Sequence, residues 1–179
     1  MVTIISKVKD LLQHLAKLNN QPAAYKPKCC PHCAALVLWG HGCYNRQSDR
    51  VNGSKDSLNP VPIPRFICKA CRRTCSSLPE CMPPRRWYLW DVQQVALLRV
   101  AAGASLRDLA RQLTPSRHTL SRWIQRFKTQ CLRHASILRS QLSALGRCQR
   151  WSEFWPACLK SMSLAQAMRI CHNQGVLVP

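Results

Sequence analysis

Two Cys-x-x-Cys pairs constrain this chain more than any other feature of its sequence. The first runs from Cys30 to Cys33 and the second from Cys68 to Cys71. The two-residue spacing lets one tight turn present two thiolates to a tetrahedral ion, and four sulfurs from two such turns form a closed structural zinc site. The sequence therefore predicts one structural Zn2+ ion, held by these four cysteines in a small β zinc ribbon.

Eight further cysteines are scattered along the chain: Cys29, Cys43, Cys75, Cys81, Cys131, Cys148, Cys158 and Cys171. Free cysteine packs like a small hydrophobic side chain, so we expect most of them to be core residues. Cys43 or Cys75 could replace a zinc ligand, although neither has the paired spacing. A disulfide-rich secreted protein would need an export signal, and Lys7, Lys9 and Asp10 interrupt the apolar residues where its core would lie.

The charge of the chain predicts a polyanionic partner. There are 27 Lys and Arg residues against 7 Asp and Glu residues, a formal net charge of +20. Nucleic acid is the favoured partner, ahead of an anionic membrane surface. No apolar run approaches the ~20 residues of a membrane-spanning helix, so we expect no membrane partner.

Changes in composition divide the chain into five segments: residues 1–20, 28–76, 77–88, 89–146 and 147–179. In that order, we expect an amphipathic N-terminal helix, a zinc ribbon, a linker interrupted by prolines, a helix-turn-helix domain and a C-terminal helical extension. The predicted fold class is α+β and mostly helical, with the small β ribbon preceding the helical domain.

The N-terminal segment has apolar residues at helical spacing: Ile4, Val8, Leu11, Leu15 and Leu18. This stripe predicts one amphipathic helix that ends near Asn19. Its apolar face could pack into the core or form the surface of a homodimer.

The segment around the cysteines predicts a hairpin. Residues 34–40 are apolar and predict its first strand. Two prolines restrict residues 61–67 to an edge strand. Between them, the polar segment 45–59 contains Asn52-Gly53, which predicts an exposed loop or hairpin tip.

Helical periodicity returns after residue 90. Gly103 ends a first helix, and Ser105 with Asp108 predicts the cap of a second helix that runs to about residue 112. Ser116 predicts the cap of a third helix that continues to about residue 128. The second and third helices have small and apolar residues at the positions typical of a helix-turn-helix: Leu109, Ala110, Leu113, Leu120 and Trp123.

If Leu120 and Trp123 face inward, the outward face of the third helix is polar and basic. We expect base contacts from its N-terminal half and phosphate contacts from its C-terminal half. The candidates for base contact are Arg117, His118, Ser121 and Arg122, with Gln125 on the same face and Arg126 and Lys128 better placed for the backbone. Further candidates for phosphate contact are Arg72, Arg73, Arg85 and Arg86, the last two of which could equally be solvated linker residues.

The C-terminal part predicts two more helices. A helical pattern over residues 132–145 ends at Gly146, and Ser163 predicts the cap of a last helix over residues 164–171. The aromatic residues between these helices are expected to be core: Trp151, Phe154 and Trp155.

Four short motifs together are typical of a known family. They are Cys-Pro-His-Cys (30–33), Trp-Gly-His-Gly (39–42), Arg-Phe-x-Cys-x-x-Cys-x-Arg-Thr (65–74) and Arg-Arg-Trp-Tyr (85–88). Over about residues 28–130 the chain resembles the N-terminal regions of bacterial insertion-sequence transposases, in which a zinc ribbon and a helix-turn-helix jointly bind the terminal repeats of the element. The resemblance implies double-stranded DNA and a catalytic transposase subunit as partners, and a cytoplasmic, nucleoid-associated location in a bacterium.

The catalytic half of such transposases holds three carboxylates that bind two divalent metal ions. The acidic residues of this chain are Asp10, Asp49, Asp56, Glu80, Asp91, Asp108 and Glu153. The sequence has no βαβ pattern to assemble three of them, and no Gly-rich phosphate loop. We therefore expect a protein that is not an enzyme.

The sequence predicts a zinc-dependent DNA-binding protein of a mobile element, acting as a transposition accessory factor or a non-catalytic transposase fragment. Three alternatives stay open at this point: a transcriptional regulator, a partial transposase that cuts only with another chain, and a zinc-ribbon module that binds protein or RNA.

Overall fold

A computed structural model describes residues 2–6, 8–48, 57–142, 145, 148, 150–176 and 178. Within these residues the chain forms seven α-helices and a four-stranded sheet, which confirms the predicted α+β class. The chain divides into two compact units, Met1–Trp87 and Tyr88–Pro179. None of the described helices is long and apolar enough to span a bilayer.

The N-terminal unit is built on a sheet with the strand order β1-β4-β3-β2. The strands are β1 (Val2–Ile5), β2 (Leu38–Arg46), β3 (Val61–Cys68) and β4 (Thr74–Pro79). Strand β1 pairs with β4 in parallel, and the other pairs are antiparallel. The predicted hairpin tip at Asn52-Gly53 lies outside the described residues.

The prediction of one helix over residues 1–20 is wrong in its first half. Residues 2–5 form β1, and helix α1 spans Leu11–Asn20, so that the predicted end is right. Every residue of β1 is β-branched, which favours an extended backbone, and β4 supplies a strand for it to pair with. Asp10 starts the helix, because its carboxylate accepts a hydrogen bond from the backbone N–H of Gln13 at 2.8 Å.

The predicted strand positions also need correction. The first strand begins at Leu38 instead of residue 34, and β3 is an interior strand. Its prolines are tolerated because the ladder with β4 begins at Arg65, beyond both of them. The carbonyl oxygen of Pro62 accepts a hydrogen bond from Nε2 of the His14 imidazole, at 2.8 Å.

The linker predicted over residues 77–88 is wrong in its first part. Strand β4 continues to Pro79, and Ser77, Leu78 and Met82 are fully buried. The backbone N–H of Glu80 donates to the carbonyl oxygen of Val8 at 3.1 Å. Proline marks the end of this strand, but the segment after it belongs to the core.

The C-terminal unit is helical. Its helices are α2 (Trp90–Ala101), α3 (Leu106–Gln112), α4 (Arg117–Thr129), α5 (Cys131–Leu138), α6 (Trp151–Ser161) and α7 (Leu164–Asn173). Three predicted caps are confirmed, because the hydroxyls of Ser105, Ser116 and Ser163 each accept the backbone N–H three residues later. Gly103 has a positive φ of 96° after α2, as expected for a residue that ends a helix.

The segment predicted as a C-terminal extension shares one core with the preceding helices. Phe154 and Trp155 are fully buried with Phe127, and the indole N–H of Trp155 donates to the Phe127 carbonyl at 3.3 Å. This confirms the aromatic residues as core and makes residues 147–179 part of the helical unit. Helix α5 ends at Leu138, earlier than predicted, and the predicted terminator Gly146 lies outside the described residues.

Candidate metal centre and basic helix

The four predicted cysteines lie together. The Sγ atoms of Cys30 and Cys71 are 3.7 Å apart, as are those of Cys33 and Cys68, and all four lie within 4.8 Å of one another. A tetrahedral ion with Zn–S bonds of about 2.3 Å requires sulfur–sulfur separations of about 3.8 Å. The spacing fits this requirement, so the group could hold one metal ion.

The first Cys-x-x-Cys pair forms a tight turn closed by backbone hydrogen bonds. The N–H of Ala34 donates to the carbonyl of Cys30, and the N–H of Cys30 donates to the carbonyl of Ala35, both at 2.8 Å. The N–H of His32 points at the Cys30 sulfur at 3.4 Å. His32 is therefore a structural residue of this turn, which presents two sulfurs on one side.

The second pair repeats the same turn. The N–H of Arg72 donates to the carbonyl of Cys68 at 2.9 Å, and the N–H of Cys68 donates to the carbonyl of Arg73 at 3.0 Å. Both arginine side chains are exposed. The two turns therefore bring their sulfurs together with matching backbone geometry, and the second holds two cations beside the site.

The thiols of the site titrate differently. Burial raises the pKa of Cys30, but hydrogen bonds from the N–H groups of His32 and Cys33 outweigh it and lower that pKa to about 7. The Ala35 N–H lowers the pKa of Cys33, yet burial and hydrogen bonds with the other three thiols outweigh it and raise that pKa to about 12. Four adjacent thiols cannot all ionise without a cation, which a metal ion would supply.

The alternative ligands lie outside this sulfur group. Cys43 is exposed on β2, and Cys75 is buried in the core beneath the site. Burial is the main reason that the pKa of Cys75 is raised. Among the described residues, the compact group of candidate ligands consists of the four paired cysteines.

An aromatic residue beside the second turn was missed as a candidate for binding. The ammonium of Lys69 lies 3.2 Å from the centroid of the Trp39 ring, and the indole is 54% exposed. An exposed cation–π pair adds modest stability. The tryptophan of the motif Trp-Gly-His-Gly is visible in the sequence, but its contact with Lys69 is not, because the two residues lie 30 positions apart.

Helix α4 separates an apolar face from a polar one. Its buried residues are Leu120, Trp123, Ile124 and Phe127. The residues predicted to face outward are exposed: Arg117, His118, Ser121, Arg122, Gln125 and Lys128, whereas Arg126 is half-buried. Lys128 also lies 4.7 Å from the ring of Trp151. No carboxylate among the described residues lies within ion-pair distance of Arg117 or Arg122.

Helices α3 and α4 pack through the residues predicted to face inward. Leu109 and Leu120 are buried, and Ala110 and Leu113 are partly buried against the same cluster. The rings of Tyr88 and Trp123 meet edge to face, with centroids 5.4 Å apart. The pair is joined by residues 113–116, in which the proline is buried.

Arg85 and Arg86 belong to the N-terminal unit. Arg85 is exposed and has a left-handed backbone conformation with a φ of 58°, whereas Arg86 is half-buried. Thus the structure places the predicted phosphate contacts Arg72, Arg73, Arg85 and Arg86 on one unit and those of α4 on the other.

Comparison with known proteins gives one match. Searches of curated proteins and of solved structures found no match. A family model described as a domain of unknown function, DUF6431, matches residues 30–123, more than half of the chain. The matched segment begins at the first cysteine of the candidate metal centre and ends in α4. The chain therefore belongs to the DUF6431 family.

Proposed function

We propose that the protein is a zinc-dependent DNA-binding protein that recognises duplex DNA. The observation that carries the proposal is the outward face of α4, where exposed arginines and polar residues lie opposite a fully apolar buried face. In this proposal the metal centre is a zinc ribbon, and α3 and α4 form a helix-turn-helix.

Zinc is the metal that the donor set favours. Four thiolates in a tetrahedral arrangement select zinc or iron–sulfur chemistry, and two Cys-x-x-Cys turns are the usual ligands of a structural zinc ion. Four protein ligands leave no open coordination position for a substrate. The ion therefore serves as scaffold and fixes the turn that carries Arg72 and Arg73.

Recognition is assigned to α4. In a helix-turn-helix the second helix enters the major groove, and its N-terminal residues reach the base edges. Arg117 and Arg122 can bind guanine through two donors each, and His118 and Ser121 lie on the same exposed face. Gln125 extends that face, and the candidates for the flanking phosphates are Arg126 and Lys128.

The charge of the helical unit supports this partner. Residues 88–179 contain 13 Lys and Arg residues and 3 Asp and Glu residues. Such an excess raises the rate of encounter with DNA and makes the affinity depend on salt, because bound cationic groups release counterions.

The biological role that we propose is that of a transposition accessory factor or a non-catalytic transposase fragment, acting with a catalytic subunit at the ends of a mobile element. The DUF6431 match covers the cysteine site, α3 and the first half of α4, which supports their use together. Binding, without strand cleavage, is the proposed activity.

Selection of bound sequences from a random duplex pool, followed by fluorescence anisotropy with the selected site, tests the proposal. We expect the double variant Arg117→Ala/Arg122→Ala to lose about 100-fold or more in affinity. Lys160→Ala removes an exposed charge from α6 and serves as the control. We also expect affinity to fall about 10³-fold or more between 50 and 200 mM salt. Equal affinities of the double variant and the control, or an affinity insensitive to salt, would contradict the proposal.

A further inference from the structure

The N-terminal unit contains a cavity of about 510 Å³ at the end of β2. We call it the arginine–tryptophan cavity, and the described residues that line it are Asn45, Arg46, Gln47, Pro60, Arg85, Arg86 and Trp87. Its volume lies in the ~300–1,000 Å³ range of small-molecule sites. Three guanidinium groups, two side-chain amides and one indole line it, and none of these described residues is acidic.

Arg46 is the inner cation of this cavity. Its guanidinium is half-buried and donates hydrogen bonds to the carbonyl oxygens of Pro83, at 3.1 Å, and of Arg86. Burial lowers the pKa of Arg46. No carboxylate among the described residues lies within ion-pair distance of it. Since a buried charge is costly without a counter-charge, the cavity favours an anion.

Arg85 supplies a second cation at the mouth of the cavity. Its backbone has a φ of 58°, a left-handed conformation that is unfavourable for a residue with a side chain. Non-glycine residues in this conformation occur preferentially at binding sites, where the interactions of the side chain offset the backbone strain. At Arg85 the side chain is exposed and lines the cavity.

Trp87 provides a flat apolar surface beside these cations. Its indole is 48% exposed although it lines the cavity. Exposed tryptophan next to arginine is the arrangement on which nucleic-acid bases stack, because every base has a π-face. Asn45 and Gln47 add donors and acceptors that can pair with the edge of a base.

The wall formed by the strands is held in place. The side-chain oxygen of Asn59 accepts hydrogen bonds from the backbone N–H of Ser48 at 2.7 Å and from its hydroxyl at 3.0 Å. These bonds tie the end of β2 to the segment before β3. Since a fixed wall lowers the entropy lost on binding, the cavity is preorganised for a ligand.

We infer that the arginine–tryptophan cavity binds a nucleotide, with the phosphate against Arg46 and Arg85 and the base against Trp87. The same chemistry is offered by a free nucleotide and by a nucleotide turned out of a single strand. The inference extends the proposed function to a second site for nucleic acid, but it rests on residues of the other unit.

Titration calorimetry of the full-length, zinc-loaded protein at 150 mM salt tests the inference. The probes are deoxyadenosine 5′-monophosphate, deoxyadenosine, inorganic phosphate and a single-stranded deoxyadenosine pentanucleotide. We expect the monophosphate to bind at least about tenfold more tightly than deoxyadenosine or phosphate, because it combines ion pairing with stacking. A pentanucleotide that binds more tightly than the monophosphate identifies a strand as the source, and equal affinities identify the free nucleotide.

Three variants assign the binding to the cavity. Arg85→Gly removes the guanidinium at a backbone conformation that glycine adopts freely, and Trp87→Ala removes the stacking surface. Each should weaken binding of the monophosphate about tenfold or more, whereas Trp87→Phe should retain most of the affinity. Lys26→Gly removes an exposed charge of the same unit outside the cavity and should have no effect.

Two results would overturn the inference: equal weakening by Arg85→Gly and Lys26→Gly, or equal affinities for the monophosphate and for phosphate alone. The outcome is independent of duplex binding by α4, because the two tests change residues of different units and use different ligands.

Discussion

Ala34 and Arg72 share one backbone conformation, with φ values of 60° and 59°, each directly after the second cysteine of its pair. In both places the left-handed residue turns the chain so that the carbonyl of the next residue accepts the N–H of the first cysteine. Neither residue is glycine, the residue that adopts this conformation most readily. Each Cys-x-x-Cys turn therefore contains local strain that the rest of the candidate site offsets.

Ala34→Gly should stabilise the metal-loaded N-terminal unit. Glycine adopts a φ of 60° without the clash of a Cβ atom, so we expect the free energy of unfolding to rise by about 1 kcal/mol. Chemical denaturation with zinc present measures it. Ala35→Gly is the matched control, because a left-handed φ is absent there and glycine adds only freedom to the unfolded chain. A loss of stability in both variants would contradict the strain argument.

Removal of one sulfur should abolish metal binding. Cys68→Ser leaves three thiolates, so we expect the protein to lose its bound metal and the N-terminal unit to unfold, because binding energy in such sites is folding energy. Zinc stoichiometry and the absorption spectrum of the cobalt-substituted protein measure the site. Cys29→Ser changes the exposed neighbour of Cys30 and should retain one ion per chain. Full zinc content in Cys68→Ser would mean that the ligand set is wrong.

His14 should make the N-terminal unit less stable in mild acid. Its ring is fully buried, and burial lowers its pKa below 6.5, while Nδ1 lies 2.7 Å from the Tyr25 hydroxyl. As the pH falls through about 6.5, His14 of the unfolded chain becomes protonated, whereas His14 of the folded protein stays neutral to a lower pH. Stability from this group is complete above that pH and is lost as the pH falls towards the lowered pKa.

Unfolding midpoints of the wild type and of His14→Gln between pH 5.5 and 8 measure this effect. Both proteins contain the same cysteines, so acid release of metal affects them alike. We expect the wild type to lose more stability than the variant over this range. Parallel curves would show that His14 does not titrate in the predicted direction.

Trp155 should be the largest single contributor to the core of the helical unit. Its ring is fully buried and meets Phe127 and Phe154 edge to face, at 5.2 and 5.1 Å between centroids. Trp155→Ala should cost about 3–5 kcal/mol, through lost burial and the cavity left behind. Urea denaturation followed by helical circular dichroism measures it. Leu132→Ala, at a residue 73% exposed, should stay within about 0.5 kcal/mol.

Local signals in the sequence predicted the helical unit well. The serine caps, such as Ser105 and Ser116, depend on residues three positions apart, so their chemistry can be read from a short window. The burial of Leu120 and Trp123 follows from helical spacing in the same way. The four cysteines were predictable because the spacing of each pair limits the geometry of its turn.

Features that depend on distant segments were not predictable. The helical spacing of Ile4 and Val8 predicts helix where the structure has β1, because the pairing of residues 2–5 with β4 spans more than 70 positions. The arginine–tryptophan cavity unites the end of β2 with residues 85–87, which no local pattern connects. The left-handed φ of Arg85 is likewise invisible in the sequence, because arginine is not a residue that marks such a turn.

The pairing of Val2 with Ser76 sets an order of events during synthesis. Strand β1 precedes its partner β4 in the chain by about 70 residues, so this pairing cannot be complete until residue 79 has emerged. Cys71 precedes that strand, so all four cysteines are available to a metal ion before the sheet is complete. On the proposed zinc dependence, we expect a chain deprived of metal to leave the β-branched residues 2–5 unpaired and prone to pair with other chains. On the same dependence, we expect the supply of metal during translation to determine how much of the chain aggregates.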